Sequence, residues 1–237
     1  NESDVSRRKF LKNSTGLAAG LMAASSSLTA ATPSRVSGAQ YRGDFAAPKI
    51  DTVRVAIIGV GARGSGHIKQ LAAIEGTEVV AICDLYEDHA LRAKGYCDEA
   101  GKGERHTHIK LYHGEKNHWK KMLREVRPDM VIIATPWEDH APMAIETMKQ
   151  NAHAFVEVPL GLTTRELWDV IDTSEKTGKH CMMMENVNYG RTELLYLNLC
   201  RKGMIGDLLH GEAAYIHELR FQMEQVDRGT GSWRTPH

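Results

Sequence analysis

Val53 to Asp84 reads VRVAIIGVGARGSGHIKQLAAIEGTEVVAICD, and this stretch decides the fold. Val53 to Ile58 is a short apolar, β-branched run of the kind that forms a buried parallel strand. Gly59, Gly61 and Gly64 follow it at G-x-G-x-x-G spacing. Arg63 to Ala73 can form a helix, and Glu78 to Ile82 is a second apolar strand ending at Asp84. An acid about 20 residues past the last glycine is where a dinucleotide fold places the group that holds the adenosine ribose. Each part has a physical task. Gly59 permits a tight turn, Gly61 admits a pyrophosphate close to the backbone, and Gly64 lets the helix pack closely. The helix N-terminus then offers free N–H groups to the anion. Asp84 would repel a 2′-phosphate, so the pattern predicts NAD rather than NADP.

Downstream, strand and helix patterns alternate. Glu87 to Ala100 is helical, and Gly101 to His108 is a polar loop in which His106 and His108 are expected to face solvent. A helix from Asn117 to Val126 contains Trp119, and Arg127-Pro128-Asp129 breaks it. Met130 to Ala134 is the next buried strand, and it runs into a loop, Thr135-Pro136-Trp137-Glu138-Asp139-His140. Loops at the carboxyl ends of parallel strands are where open α/β sheets bind ligands. A helix from Met143 to Lys149 and a strand from Ala152 to Val156 lead to Glu157-Val158-Pro159. Thr163 and Glu166 have the spacing of a capping box for a helix reaching Lys176. Cys181 to Met184 reads as a core strand ending at Glu185-Asn186, Thr192 to Lys202 as a helix, and Asp207 to Arg220 as a long strand. The order predicts an α/β fold, a doubly wound parallel Rossmann sheet, followed by the start of a second α+β domain with a largely antiparallel sheet. The expected domains are an NAD-binding domain over 51–187 and the beginning of a substrate domain over 188–237, which reads as truncated.

The 237 residues carry 30 Lys and Arg against 30 Asp and Glu, so bulk charge points neither to nucleic acid nor to an anionic membrane. Cys83, Cys97, Cys181 and Cys200 lack paired spacing and read as buried thiols; no metal site is expected. At the N-terminus, Ser6-Arg7-Arg8-Lys9-Phe10-Leu11-Lys12 precedes a weakly apolar stretch from Leu17 to Ala30. This resembles a twin-arginine signal over residues 1–31, with an extended arm over 32–50. The apolar part is too short and too rich in Ser and Gly to span a membrane. The expected partner is the twin-arginine export machinery, and the expected location is the periplasm or cell envelope. Export of a folded protein fits a cofactor loaded beforehand and retained. The oligomeric state stays open, a homo-oligomer included.

With these motifs in hand, the chain resembles the Gfo/Idh/MocA oxidoreductase superfamily. Ordinary members carry Glu-Lys-Pro where this chain has Glu157-Val158-Pro159, and that lysine commonly assists proton transfer at the alcohol being oxidised. Val158 therefore argues against a plain dehydrogenase. Within the superfamily, Glu-Val-Pro, Trp-Glu-Asp-His, Met-Met-Met-Glu-Asn and the Trp233-Arg234 pair are similar to glycoside hydrolase family 109, NAD-dependent α-N-acetylgalactosaminidases. The resemblance implies that Ala62, Arg63, Asp84, Trp137, Glu138, Asp139, His140, Glu157, Val158 and Asn186 line NAD, with Gly59, Gly61 and Gly64 beneath it. It implies that Tyr215 and Arg234 reach the glycoside. It also implies a redox route: the sugar is oxidised at C3, its C2 proton becomes acidic, the C1 substituent is eliminated, water adds and the hydride returns. Most glycosidases use two carboxylates instead.

Single residues keep two readings. His217 shares a face with Tyr215 if the last segment is a strand, and is either an acid–base group or a hydrogen-bonded structural histidine. Trp137 packs on a cofactor ring or in the core, and Arg234 binds sugar or is solvated. Ser232 stands where some family members carry His, which leaves the catalytic base open. Three functions follow: an exported glycosidase with recycled NAD, a periplasmic sugar oxidoreductase, and a non-catalytic sugar-binding relative.

Overall fold

Apolar, β-branched runs a few residues long become parallel strands when helices cover both sheet faces. In the computed structural model, residues 46–100, 105–214, 216–218 and 220–223 are described. The elements are β1 (Val53–Ile58), α1 (Ala62–Ala73), β2 (Thr77–Cys83), α2 (Glu87–Ala100), β3 (Lys110–Tyr112), α3 (His118–Val126), β4 (Met130–Ile133), α4 (Trp137–Lys149), β5 (His153–Val156), α5 (Thr164–Thr177), β6 (Cys181–Met183), α6 (Arg191–Arg201) and α7 (Arg220–Met223). The six strands lie in the order β3-β2-β1-β4-β5-β6, every pairing parallel. This is the order of a dinucleotide-binding doubly wound sheet, and it reverses direction between β1 and β4, where a crevice opens at the strand carboxyl ends.

Side chains alternate across the sheet and split the core in two. Ala56, Ile58, Val131, Ile133, Ala154 and Val156 pack on one face with Trp119, Met122, Leu123, Met143 and Met148 from α3 and α4. Val55, Ile57, Val79 and Ile132 pack on the other with Ile68, Leu71, Ala90 and Cys97 from α1 and α2. Fully burying one such aliphatic side chain stabilises the fold by about 1.5–3 kcal/mol, so the strands cannot slip register cheaply. Burial also pushes the thiols of Cys83, Cys97 and Cys181 up to about 12, which keeps them protonated.

Several sequence expectations need correction. The edge strand β3 falls between the expected loop at 101–108 and the expected helix from Asn117, where the sequence pattern predicts no element. Trp137–His140 is the first turn of α4 rather than a loop: Pro142 forfeits one helical hydrogen bond, but Ala141, Met143, Ala144, Thr147 and Met148 are buried and hold the helix to the sheet. β6 lies at the sheet edge, so Met182 and Met183 are half-exposed and not core. His106 is 1% exposed, not solvent-facing. Its Nδ1 accepts from the Val79 N–H and its Nε2 reaches the Ala72 carbonyl, both at 3.1 Å, tying α1 to β2. The described residues between Asp207 and Glu218 form no strand. Alternation alone does not make one, because a strand also needs a partner edge for its backbone hydrogen bonds. Accordingly no antiparallel pairing occurs among the described residues. No described helix is long and apolar enough to cross a membrane.

Candidate functional site

The crevice is built on two glycines that admit no side chain. Gly59 has φ +84°, and a Cβ there would stand 2.5 Å from the Ala134 carbonyl oxygen. A Cβ on Gly64 would stand 1.9 Å from the carbonyl oxygen of Gly59. Both contacts lie inside van der Waals distance, so only glycine lets α1 start hard against β1 and the loop after β4. The helix N-cap, Gly61, offers no side-chain acceptor, and the first turn carries no acid. Its orphan N–H groups therefore point, uncapped by protein side chains, at the place where a phosphate would sit.

Asp84 faces this loop from the end of β2. Its Oδ2 accepts the Val60 N–H at 2.8 Å and its Oδ1 accepts the Tyr86 N–H at 2.9 Å. His89 Nδ1 lies 3.4 Å from Oδ1, and the His89 ring meets Tyr86 edge-on. A carboxylate has roughly four acceptor positions, so two N–H bonds and the His89 contact still leave room for a ribose hydroxyl. The loop, the uncapped helix start and this acid fit a dinucleotide.

On the far side of the crevice, Glu157 follows β5 with its side chain 9% exposed. Its Oε1 accepts from Arg63 Nε at 2.7 Å and lies 2.5 Å from His67 Nε2. Burial opposes ionisation of Glu157, but the hydrogen bonds from His67 and Arg63, reinforced by their charges, outweigh it and hold the carboxyl below its ordinary range. Arg63 also donates to Asn186 Oδ1 beyond β6. One side chain from α1 thus reaches the loops after both β5 and β6. Trp137 and Glu138 are exposed at the start of α4, and Lys116 Nζ lies 3.7 Å from Asp139. Val158 and Pro159, joined by a cis peptide bond, are partly buried after Glu157.

His140 departs from expectation. It is 1% exposed, with Nδ1 2.7 Å from the Pro159 carbonyl and Nε2 2.8 Å from the Thr135 carbonyl. Both ring nitrogens are occupied, so His140 binds the loops after β4 and β5 together beneath the crevice instead of lining it. The motif reading does not mark out His67, although its place four residues after Arg63 puts it on the same face of α1. His217 is exposed and lies outside any strand, so the shared strand face with Tyr215 has no support. Tyr215, Ser232, Trp233, Arg234 and the twin-arginine segment lie outside the described residues.

Residues 53–185 match the oxidoreductase family with an NAD-binding Rossmann fold, Gfo/Idh/MocA, and residues 189–237 match the C-terminal domain of glycosyl hydrolase 109. Glycosyl hydrolase family 109 protein 1 of Akkermansia muciniphila is 50% identical over 100% of this chain and 53% of its own length. An α-N-acetylgalactosaminidase of Shewanella oneidensis is 48% identical over 98% of this chain and 50% of its own length. The chain thus spans about half the length of the curated relatives it matches. Among solved structures, myo-inositol 2-dehydrogenase of Lactobacillus plantarum superposes with a TM-score of 0.56 at 25% identity, over 66% of this chain and 43% of that one. Scyllo-inositol dehydrogenase of Lactobacillus casei, solved with NAD(H) and scyllo-inositol, shares the fold with a TM-score of 0.57 at 19% identity, over 66% and 43% of the two chains.

Proposed function

The chain belongs to the Gfo/Idh/MocA family of NAD-binding Rossmann proteins, in its glycosyl hydrolase 109 group, and from that premise we propose that it forms the cofactor-holding part of an NAD-dependent α-N-acetylgalactosaminidase. The observation that carries this reading is the joining, on one chain, of the NAD-binding match at 53–185 to the glycosyl hydrolase match at 189–237. When bound, NAD supplies reversible acceptance of a hydride, so a sugar can be oxidised and restored with no net consumption. The protein's own residues hold and orient it. Gly59 and Gly64 set the helix N-terminus against the phosphates, and Asp84 accepts a ribose hydroxyl. Arg63, Glu157 and Asn186 bound the other wall, with Trp137, Glu138, Asp139 and Val158 beside them. Val158 offers no proton-transfer group where a dehydrogenase of this superfamily has lysine, which favours a glycosidase over a net oxidoreductase. Tyr215 and Arg234 are assigned to the sugar, and His217 is the candidate acid–base group. The Arg7-Arg8 pattern supports export of the loaded protein by the twin-arginine route to the periplasm or cell envelope.

The test is product analysis with full-length protein, a chromogenic α-linked N-acetylgalactosaminide, deuterated water and no added cofactor. The expected products are the free phenol and a sugar carrying deuterium at C2, since the C2–H bond breaks before cleavage in this reading. A paired-carboxylate glycosidase never breaks that bond. A ketose, lactone or alditol product would make the protein an oxidoreductase, and NAD bound without turnover would make it a binding protein. Cleavage undiminished after NAD is stripped, with no deuterium gained, would remove the redox route.

A further inference from the structure

Arg63 sits in the first turn of a helix whose N-terminus already carries partial positive charge, and that turn holds no acid. A guanidinium placed there is electrostatically costly unless something negative faces it. Glu157 is the only acidic side chain among Arg63's hydrogen-bond partners in the described residues, and it shares one oxygen, Oε1, between Arg63 and His67. The guanidinium itself is about half-exposed, so its side chain would otherwise sample many rotamers. Instead Nε is fixed by Glu157 and one terminal nitrogen by Asn186. Of five N–H donors, these two bonds leave the others to a ligand. His67 lies one helical turn further along α1, on the same face, and contacts Glu157 from behind Arg63.

We propose that His67 is a positioning residue of the cofactor site: by anchoring Glu157 it holds Arg63 across the mouth of the crevice, where the unused guanidinium N–H groups grip a phosphate oxygen of the dinucleotide. This rests on the reading of the crevice as an NAD site. The helix start and Arg63 bring positive charge to one place, and of Arg63's two hydrogen-bond partners only Glu157 is a carboxylate, which leaves guanidinium N–H groups free to meet an anion. Without His67, Glu157 keeps Arg63 as its partner but loses the bond that fixes its own orientation, and the strap slackens.

The experiment measures NADH release from full-length protein, as loss of bound-NADH fluorescence on mixing with excess NAD. His67→Ala and Arg63→Ala are each expected to speed release about tenfold, the weight of a hydrogen bond to a charged group. Because His67 acts through Arg63, the double variant should release NADH within about twofold of Arg63→Ala alone. His67→Gln, whose amide can still donate to Glu157, should stay within about threefold of wild type, whereas the shorter His67→Asn should behave like Ala. Thermal melts of dinucleotide-free protein separate misfolding from slackening, and the Gln–Asn pair keeps the test decisive if His67→Ala does not fold. Wild-type release from the Ala and Asn variants, or an additive double variant about a hundredfold faster, would overturn the proposal. If wild type binds no NADH at all, it is the underlying NAD reading that fails.

Discussion

Gly64 and Gly66 sit two residues apart on the same helix and should respond oppositely to alanine. At Gly64 the new Cβ would meet the Gly59 carbonyl at 1.9 Å, whereas at Gly66 it meets nothing within 4 Å. Gly64→Ala should therefore lose at least about 1–3 kcal/mol through overpacking, and Gly66→Ala should gain about 0.5–1 kcal/mol of helix propensity. Urea midpoints at unchanged slope read both. Asp84→Ala should act twice: it strips the Val60 N–H of its acceptor, and it weakens NAD retention by roughly tenfold or more, as expected for a charged hydrogen bond. Equilibrium dialysis with NAD checks the second effect. Glu157 gives a pH prediction. Its carboxyl is held below its ordinary range in the folded protein, so it contributes stability above its unfolded value that is lost as pH falls through the folded one. The stability difference between wild type and Glu157→Gln should be flat above about pH 5 and shrink below about pH 4, as ordinary carboxylate values require. A difference that instead grew on acidification would contradict the network.

At the scale of elements, α5 shows local chemistry that sequence alone could supply. The Thr163 hydroxyl accepts the Glu166 N–H, and Glu166 accepts the N–H groups of Leu162 and Thr163. Thr163→Ala should cost about 1 kcal/mol, read from the urea midpoint. The βαβ unit from Val53 to Asp84 was equally legible, since strand, glycine spacing, helix and acid each follow from local geometry. What failed was decided elsewhere in the chain. The three residues of β3 carry too little pattern to stand out from a loop, and only pairing with β2 makes them a strand. Pro136 and Pro142 concealed the first turn of α4, which the buried face of that helix enforces. His106 and His140 read as exposed or cofactor-facing because a histidine's burial depends on which carbonyls tertiary packing brings to it. His67 is not legible as a site residue because its partner, Glu157, is 90 residues away. The alternation from Asp207 to Arg220 was real, but it has no strand beside it among the described residues.

At the scale of the molecule, the match to the NAD-binding family ends at residue 185 and the match to the glycosyl hydrolase 109 C-terminal domain starts at residue 189. Under the proposed export route, a protein delivered folded beyond the cytoplasm would have to bring its NAD along. Replacing Arg7 and Arg8 by Lys should leave the full-length protein in the cytoplasmic fraction, and undisturbed export would remove the twin-arginine assignment. If the chain is the cofactor-holding part proposed above, the crevice between β1 and β4 should hold NAD through purification. The most direct measurement is the amount of dinucleotide freed when gel-filtered full-length protein is denatured. Close to one NAD per chain is expected, with a marked fall in Asp84→Ala. A supernatant free of dinucleotide, from protein that also takes up none when NAD is added, would contradict it.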